Sequence, residues 1–374
     1  MDKRIVGIVC GTRPEIIKLA PVYHALRGQE ELCVIWVHTG QHGDMAADML
    51  RSFGITPDEQ LCRKGTSLEE FSVECRSQLD ALMARQRWDF CIVQGDTESA
   101  FLGALTAFYR RIPVGHVEAG LRTYNLERPF PEEGLRQMIS RITNMHWAPT
   151  ERARAALLRE GIEPEKIVLT GNTVVDAQQW ICDKHGIRRE GPASQGHILV
   201  TAHRRENWGE EMAQTFHAVA DIARAFPQRR VLFPVHLNPV VQRPAHEILD
   251  GLDNVKLVAP LDYLGMQQAL VNAVLLLTDS GGLQEEAPTF GVPTLVLRHE
   301  TERPEAVEAG CARLVGPKRD AIVREATRLL QDEAAADAMR KVSNPFGDGQ
   351  AARRIADEVM TRLVVRADAA AIAA

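Results

Sequence analysis

The sequence predicts an α/β protein made of two Rossmann-like, doubly wound domains that face a central cleft. Short runs rich in β-branched residues alternate with longer amphipathic segments along the chain, which is typical of parallel strands joined by crossover helices. The chain has 374 residues, too many for one ordinary core and suitable for two domains. A polar, glycine-bearing stretch at 185–196 divides the two series and predicts the linker between them.

The first series predicts a domain over residues 1–184. Its short apolar runs indicate strands at 4–10, 32–38, 90–94, 114–117 and 167–170. The amphipathic segments between them indicate helices at 15–27, 44–53, 68–85, 99–110, 133–143 and 151–160. Because parallel strands end at one edge of a sheet, the loops that follow these strands are where we expect ligand-binding residues.

The second series predicts a domain over residues 197–350. It indicates strands at 198–201, 230–234, 256–258, 274–278 and 294–297. Helices are expected at 209–226, 264–272, 283–290, 319–330 and 351–364. We predict that the last segment, 351–374, packs back on the first domain as a helix and ends in a frayed Ala-rich tail.

Composition excludes several classes of function. The net charge of -6 gives no basic surface for nucleic acid. The seven cysteines are odd in number and lack C-x-x-C spacing, which argues against a disulfide framework or a zinc site and indicates a reducing cytoplasm. We expect no metal. No apolar stretch approaches the ~20 residues of a membrane span, so we expect no membrane partner.

A glycine-rich turn in the second half predicts a diphosphate site. In LLLTDSGGLQEEAP a strand is followed by Ser280, Gly281 and Gly282, which offer a hydroxyl and an approachable backbone. The alternative is that the glycines merely form a turn. The segment lacks the Lys of a P-loop, and no G-x-G-x-x-G follows the first strand. We therefore expect neither ATP nor NAD, and no other cofactor.

A second anion site is predicted after the first strand, in GTRPEIIK. Gly11 permits a tight turn, Pro14 suits the first position of a helix, and Arg13 and Lys18 add positive charge. An ordinary βα turn with solvated charges explains this segment equally well.

Three carboxylates in the first half are candidates for acid/base chemistry. Asp96, Glu118 and Glu132 are expected at strand ends, where desolvation and mutual repulsion would raise at least one pKa towards a range useful for proton transfer. Each has a structural alternative, since Asp96 could cap the next helix and Glu132 could be a first-turn helix acid.

Histidines follow two strands of the second half. In LVTAHRRENWG, His203 is followed by Arg204, and this pair suits a phosphate-bearing leaving group by offering positive charge and a proton. His236 in FPVHLNP is a weaker candidate, because a proline-bounded turn explains the sequence. Glu286 could accept hydrogen bonds from ribose hydroxyls or could serve its helix instead.

These segments together resemble the non-hydrolysing, bacterial type of UDP-N-acetylglucosamine 2-epimerase family. The resemblance covers nearly the full length, in order, through the segments GTRPEIIKLAP, HTGQH, VQGDT, HVEAGLRT, PFPEE, GNTVVD, HRREN, PVHLNP, DYL, TDSGGLQEEAP and TERPEA. It implies a GT-B-like fold, a homodimer, and conversion of UDP-GlcNAc to UDP-ManNAc without a nicotinamide.

The resemblance also implies roles for individual residues. The nucleotide diphosphate and ribose would be held by Arg13, His203, Ser280, Gly281, Gly282, Glu286 and Arg303. The acid/base carboxylates would be Asp96, Glu118 and Glu132, with Lys18 and Arg136 in support. Many members bind a second UDP-GlcNAc as activator, and the matching residues here are Gln41, His42, Arg204 and His236.

The sequence departs from the family pattern at three places. Leu135 precedes Arg136 where an Asn is usual, which could alter the orientation of Glu132. Leu261 stands where some relatives place a Gln beside the uracil. Asp44 replaces a common Gln and would repel a nearby phosphate, so allosteric activation is not expected to carry over.

Four other functions remain open at this stage, and one of them is epimerisation of a related UDP-N-acetylated sugar. A hydrolysing epimerase would release free sugar and UDP, and a GT-B glycosyltransferase would require an acceptor. A sugar-nucleotide sensor would bind without turnover, but the clustered carboxylates argue against it. Fold alone does not decide among these functions.

Overall fold

The structure is a computed structural model that describes residues 3–42, 44–63, 65, 67–192 and 194–365. It divides into two compact units, one formed by Met1–Trp180 with Gly347–Ala374 and the other by Ile181–Phe346. The predicted frayed tail lies outside the described residues. None of the described helices combines the length and apolar character that a membrane span needs.

The first unit is built on a seven-stranded parallel sheet in the order β3-β2-β1-β4-β5-β6-β7. Its strands are β1 Arg4–Cys10, β2 Leu32–His38, β3 Glu59–Gln60, β4 Phe90–Gln94, β5 Val114–Val117, β6 Met145–Ala148 and β7 Ile167–Leu169. Its helices are α1 Arg13–Arg27, α2 Asp44–Phe53, α3 Leu68–Gln86, α4 Glu98–Tyr109, α5 Glu132–Ile142 and α6 Glu151–Arg159. Helix α7, Thr173–His185, begins in this unit and ends after Trp180, the last residue of the unit's first segment. Helix α15, Ala351–Met360, packs on α1.

The second unit carries a six-stranded parallel sheet in the order β10-β9-β8-β11-β12-β13. Its strands are β8 His197–Thr201, β9 Val231–Pro234, β10 Val255–Val258, β11 Ala273–Thr278, β12 Thr294–Val296 and β13 Ala312–Leu314. Its helices are α8 Glu210–Ala225, α9 Pro239–Leu249, α10 Tyr263–Val271, α11 Gly281–Glu286, α12 Pro304–Ala309, α13 Arg319–Gln331 and α14 Glu333–Arg340.

The predicted class of fold, two α/β domains with parallel sheets, is confirmed. Both sheets bury apolar strands between helices, and β11 is buried along its whole length, as expected for a parallel sheet covered on both faces. In each sheet the strand order reverses beside the first strand, between β1 and β4 and between β8 and β11. Such reversal points are where doubly wound sheets bind ligands.

The structure adds elements that the sequence patterns did not indicate. The unpredicted strands are β3, β6 and β13, and the unpredicted helices are α7, α9, α12 and α14. The strands were missed because they are short and have few β-branched residues. Helix α9 was not predicted because it has one proline at its start and another in its interior, and proline disfavours the interior of a helix.

The helix predicted at 283–290 has different bounds in the structure. It begins at Gly281 and ends at Glu286, and a 3₁₀ turn, Ala287–Phe290, follows it. Pro288 lies in that turn, and a proline ring does not fit the interior of an α-helix.

Gly120 and Gly161 of the first unit both have a left-handed backbone but differ in how closely other atoms pack against them. Gly120 has φ 92°, and a Cβ there would lie 2.3 Å from the carbonyl oxygen of Ala153. Gly161 has φ 78° and open space around it. We expect Gly120→Ala to lower the free energy of unfolding by about 2 to 4 kcal/mol and the matched Gly161→Ala by about 1 kcal/mol. Equal losses in urea unfolding would contradict the packing explanation.

Candidate active site

Glu118 lies at the carboxyl edge of the first sheet in a conformation that non-glycine residues seldom adopt. It follows β5 with φ 63°, in the left-handed region. Its carboxylate pairs with Lys18 of α1 and accepts a hydrogen bond from Gln94 at the end of β4. A Cβ on Gly95 would lie 3.6 Å from Glu118 Oε2. The structure therefore places Glu118 beside the loop that carries Asp96.

Asp96 is held by a cation from a different helix. Its carboxylate pairs with Arg136 of α5, and Arg136 Nη1 also lies 3.5 Å from the buried Glu133. The helix-cap alternative for Asp96 is wrong, because Thr97 caps α4 by accepting a hydrogen bond from the Ala100 amide at 3.0 Å. The cations beside Asp96 and Glu118 offset the mutual repulsion expected from the sequence.

Glu132 is the first residue of α5, so its predicted place at a strand end is wrong. The alternative expectation, that Glu132 is a first-turn helix acid, is the one that the structure shows. Leu135 is 6% exposed and packs inside the unit. Within the described residues, Glu132 and Arg13 form no side-chain hydrogen bond or ion pair, and both are half-buried. Both side chains can therefore accept a ligand without first breaking an internal contact.

The predicted activator residues Gln41 and His42 lie in the loop after β2. Gln41 Oε1 accepts hydrogen bonds from the Ser99 amide at 3.1 Å and from the Ser99 hydroxyl at 2.6 Å. Its carbonyl oxygen accepts one from Arg63 Nη1 at 2.6 Å. His42 is exposed, and the side chain of Asp44 lies outside the described part. Gln41 thus already has an internal structural role.

Glu15 supports the loops of the candidate site and was not among the residues predicted from the sequence. Its carboxylate is 1% exposed and accepts hydrogen bonds from the Gly11 amide at 3.0 Å, the Thr12 amide at 2.8 Å and the Thr97 hydroxyl at 2.7 Å. It therefore connects the loops after β1 and β4. The available signal was the capping-box spacing of Thr12 and Glu15 in TRPE.

His203 and Arg204 lie in the loop after β8, at the edge where β11 ends. Both backbone amides donate to Asp279 Oδ2 at 2.8 Å, and Asp279 is fully buried. The rings of His203 and His236 are stacked at 5.9 Å between centroids. Asp279 was not among the predicted site residues, although it directly precedes the serine-glycine turn.

Neither backbone conformation nor packing within the second unit requires glycine at positions 281 and 282. They are the first two residues of α11 and have helical backbones, and neither is among the glycines with positive φ. A Cβ on either residue would meet no atom closer than 3.8 Å. Because a glycine inside a helix costs about 1 kcal/mol relative to alanine, the open backbone beside Ser280 favours close approach by a ligand over the simple-turn alternative.

Charged groups surround this glycine pair. The nearest atom to a Cβ on Gly281 would be Arg204 Nη2, at 3.8 Å, and Arg204 Nε is buried with no hydrogen-bond partner among the described residues. Glu286 accepts a hydrogen bond from Gln267 at 2.6 Å through Oε2. Arg303 pairs with the buried Glu285. The second unit thus gathers His203, Ser280, Gly281, Gly282 and Glu286 around one turn.

No group of three or more potential metal-ligating side chains occurs in the part of the chain that the structure describes. The carboxylates of Glu118, Asp96 and Asp279 make contacts with cationic side chains, with Gln94, with His203 or with backbone amides.

Glu15 should make stability depend on pH. Burial raises its pKa to about 7, against the hydrogen bonds from Thr97, Thr12 and Gly11 that lower it. Since the folded pKa lies above the unfolded value, folding favours the protonated form, and this stabilisation is lost as pH rises from about 4.5 to 7. We expect the free energy of unfolding to fall by about 3 kcal/mol over that range relative to Glu15→Gln. Parallel urea-unfolding profiles for the two proteins would contradict this pKa.

Comparison with known proteins gives the family. The family model described as UDP-N-acetylglucosamine 2-epimerase matches residues 24–360. The chain is 44% identical to UDP-N-acetylglucosamine 2-epimerase of Escherichia coli K12 over 93% of this chain and 96% of that one. It is 43% identical to that of Bacillus subtilis strain 168, over 96% of each chain.

A solved structure agrees with both sequence comparisons. The crystal structure of UDP-GlcNAc 2-epimerase from Neisseria meningitidis bound to UDP-GlcNAc superposes with a TM-score of 0.86, at 38% identity and over 96% of this chain and 100% of that one. These matches confirm the predicted fold class, the resemblance and the expectation of an isomerase. The chain belongs to the UDP-N-acetylglucosamine 2-epimerase family.

Proposed function

We propose that this enzyme interconverts UDP-GlcNAc and UDP-ManNAc by reversible epimerisation at C2, without net hydrolysis. The observation that carries the proposal is the glycine pair of α11, whose open backbone is explained by an approaching diphosphate and not by the fold. The relatives from Escherichia coli and Neisseria meningitidis bear the name UDP-GlcNAc 2-epimerase, and the latter was solved with UDP-GlcNAc bound, which supports the choice of substrate.

We assign the nucleotide to the second unit. Ser280, Gly281 and Gly282 offer a hydroxyl and approachable backbone for the diphosphate. His203 contributes a ring nitrogen that can carry a proton. Arg303, which pairs with the buried Glu285, adds a guanidinium group. Glu286 keeps one carboxylate oxygen near Gly282, at 3.8 Å from a Cβ there, and is suited to a ribose hydroxyl.

We assign proton transfer to the first unit. The hydrogen at C2 is not adjacent to a carbonyl, so a carboxylate alone would remove it too slowly. If the C1–O bond breaks first, UDP leaves with the bonding electrons, and the ring gains oxocarbenium character that acidifies the C2 hydrogen. A carboxylate then takes this proton and leaves a 2-acetamidoglucal. Proton addition at the opposite face of C2 and return of UDP to C1 complete the inversion.

The contacts of the three carboxylates suit this chemistry. Lys18 and Arg136 hold Glu118 and Asp96 in fixed positions, and fixed positions favour proton transfer. Glu132 has no internal side-chain partner within the described residues and can reorient towards a substrate.

Retention of UDP separates this reaction from its alternatives. A hydrolysing enzyme would release the sugar, and a glycosyltransferase would leave UDP-GlcNAc unchanged without an acceptor. Exclusion of water during the life of the intermediate is the physical requirement for UDP to return to C1.

Three further features are proposed, of which only the homodimer rests on the resemblance. We propose a homodimer and a cytoplasmic location, the latter in keeping with the seven free cysteines. We also propose that no second UDP-GlcNAc activates the enzyme through Gln41, His42, Arg204 and His236. The side chain of Gln41 is engaged by Ser99, which supports this last proposal.

The elimination route predicts solvent exchange at C2. We expect UDP-ManNAc formed in D2O to carry one deuterium at C2, observed by proton NMR of the product mixture. Glu118→Gln should slow both exchange and turnover roughly 10²-fold, whereas Glu30→Gln, a matched change at an exposed residue, should leave both unchanged. Product that keeps its original hydrogen at C2 would exclude the route.

The glycine pair predicts a separation of stability from binding. Gly281→Ala and Gly282→Ala should raise the free energy of unfolding by about 0.5 to 1 kcal/mol, because alanine favours a helix, yet weaken UDP binding at least about 10-fold by obstructing the approach to the backbone. Gly134→Ala is the control, since Gly134 is also helical with no atom within 4 Å of an added Cβ. If calorimetry shows the same UDP affinity in all three variants as in the unsubstituted protein, the diphosphate assignment is wrong.

A further inference from the structure

Asp279 is a fully buried carboxylate with an unusual set of neighbours. It follows β11 directly, and its Oδ2 accepts hydrogen bonds from the consecutive amides of His203 and Arg204, each at 2.8 Å. Its side chain has no exposed surface. Two amide donors account for one oxygen and fix the loop after β8 against the end of β11.

The second carboxylate oxygen of Asp279 faces the ring of His203. Oδ1 lies 3.2 Å from His203 Nδ1 and is buried, and no described group makes a hydrogen bond of regular geometry to it. A buried carboxylate oxygen without a donor costs free energy. The ring therefore satisfies this oxygen only when Nδ1 carries a hydrogen.

The environment keeps Asp279 ionised. Burial by itself would raise its pKa, but the hydrogen bond and charge of His203 and the amides of Arg204 and His203 lower it below the ordinary value. The face of the His203 ring also stacks on His236, with 11° between the ring planes. The ring is thus held at one edge and on one face.

We propose that Asp279 is a positioning residue that fixes the orientation and tautomer of His203. This inference rests on the proposed function, in which His203 meets the departing diphosphate. With a hydrogen held on Nδ1, the neutral ring has its lone pair on Nε2. A proton can then pass between Nε2 and a diphosphate oxygen as the C1–O bond breaks or forms, while the Nδ1 hydrogen stays on the ring.

Asp279→Asn separates this role from a structural one. The amide oxygen of asparagine can still accept from the two backbone amides, so the loop keeps its anchor. The amide NH₂ would face His203 Nδ1 as a donor and favour the tautomer with its hydrogen on Nε2. A role confined to the loop would be largely preserved by this variant, whereas control of the ring would be lost.

The first measurement is the tautomer. Long-range ¹H–¹⁵N spectra of the full-length protein, with the His203 signal identified by its loss in His203→Gln, should show a hydrogen on Nδ1 in the unsubstituted protein and on Nε2 in Asp279→Asn. The same tautomer in both proteins would overturn the inference. This readout does not depend on turnover.

The second measurement is kinetic. Asp279→Asn should lower kcat about 10²-fold or more while KM changes little. Asp253→Asn, the same chemical change at an exposed position of the second unit, should change neither. Circular dichroism and thermal unfolding should confirm that both variants fold.

A double-mutant cycle tests whether Asp279 acts through His203. In a protein that already carries His203→Ala, adding Asp279→Asn should lower kcat by less than about 3-fold, because the ring that Asp279 positions is absent. Full additivity would overturn the inference. If His203→Ala itself retains full turnover, the proposed function of His203 fails, and if only Asp279→Asn retains it, the positioning role alone fails.

Discussion

Buried carboxylates that accept consecutive backbone amides hold the loops of both sites. Glu15, Glu133 and Asp279 are each 0–1% exposed, and each accepts two neighbouring amides, from Gly11 and Thr12, from Thr123 and Tyr124, and from His203 and Arg204 respectively. Loops after strands cannot satisfy their amides within a sheet, and an unsatisfied buried amide is costly. Each carboxylate thus fixes a loop whose backbone has no regular partner.

This arrangement also orders the charged side chains. Glu133 lies next to Arg136, which in turn holds Asp96, and Asp279 lies next to the ring of His203. A buried carboxylate with backbone donors therefore lies beside a cation or a histidine of each candidate site. Because these contacts come from packed elements, Asp96 and the His203 ring have little freedom to move, which suits the proton transfer proposed for them.

The two units differ in their charged groups, and this difference supports the division of chemistry proposed above. In the first unit, Lys18 and Arg136 neutralise two carboxylates that could otherwise repel each other and an anionic substrate. In the second, the glycine pair leaves open backbone, and a nitrogen of Arg204 has no partner among the described residues. The first arrangement suits proton transfer, and the second suits a negatively charged leaving group.

The sequence alone determined the class of fold, the family and most of the candidate residues. Alternating apolar and amphipathic segments indicated parallel sheets, and the ordered motifs named residues such as Glu118 and Ser280, because the local spacing of strand, turn and helix encodes both. The tertiary structure decided which residues support them. Glu15, Gln94 and Asp279 were missed because their importance comes from burial and from contacts with loops distant in sequence, or from amides that only the folded chain brings together. Short strands such as β6 and β13 were also found only in the tertiary structure. Three or four residues are too few to show a strand pattern, and these segments become strands because they pair with neighbouring strands of the sheet.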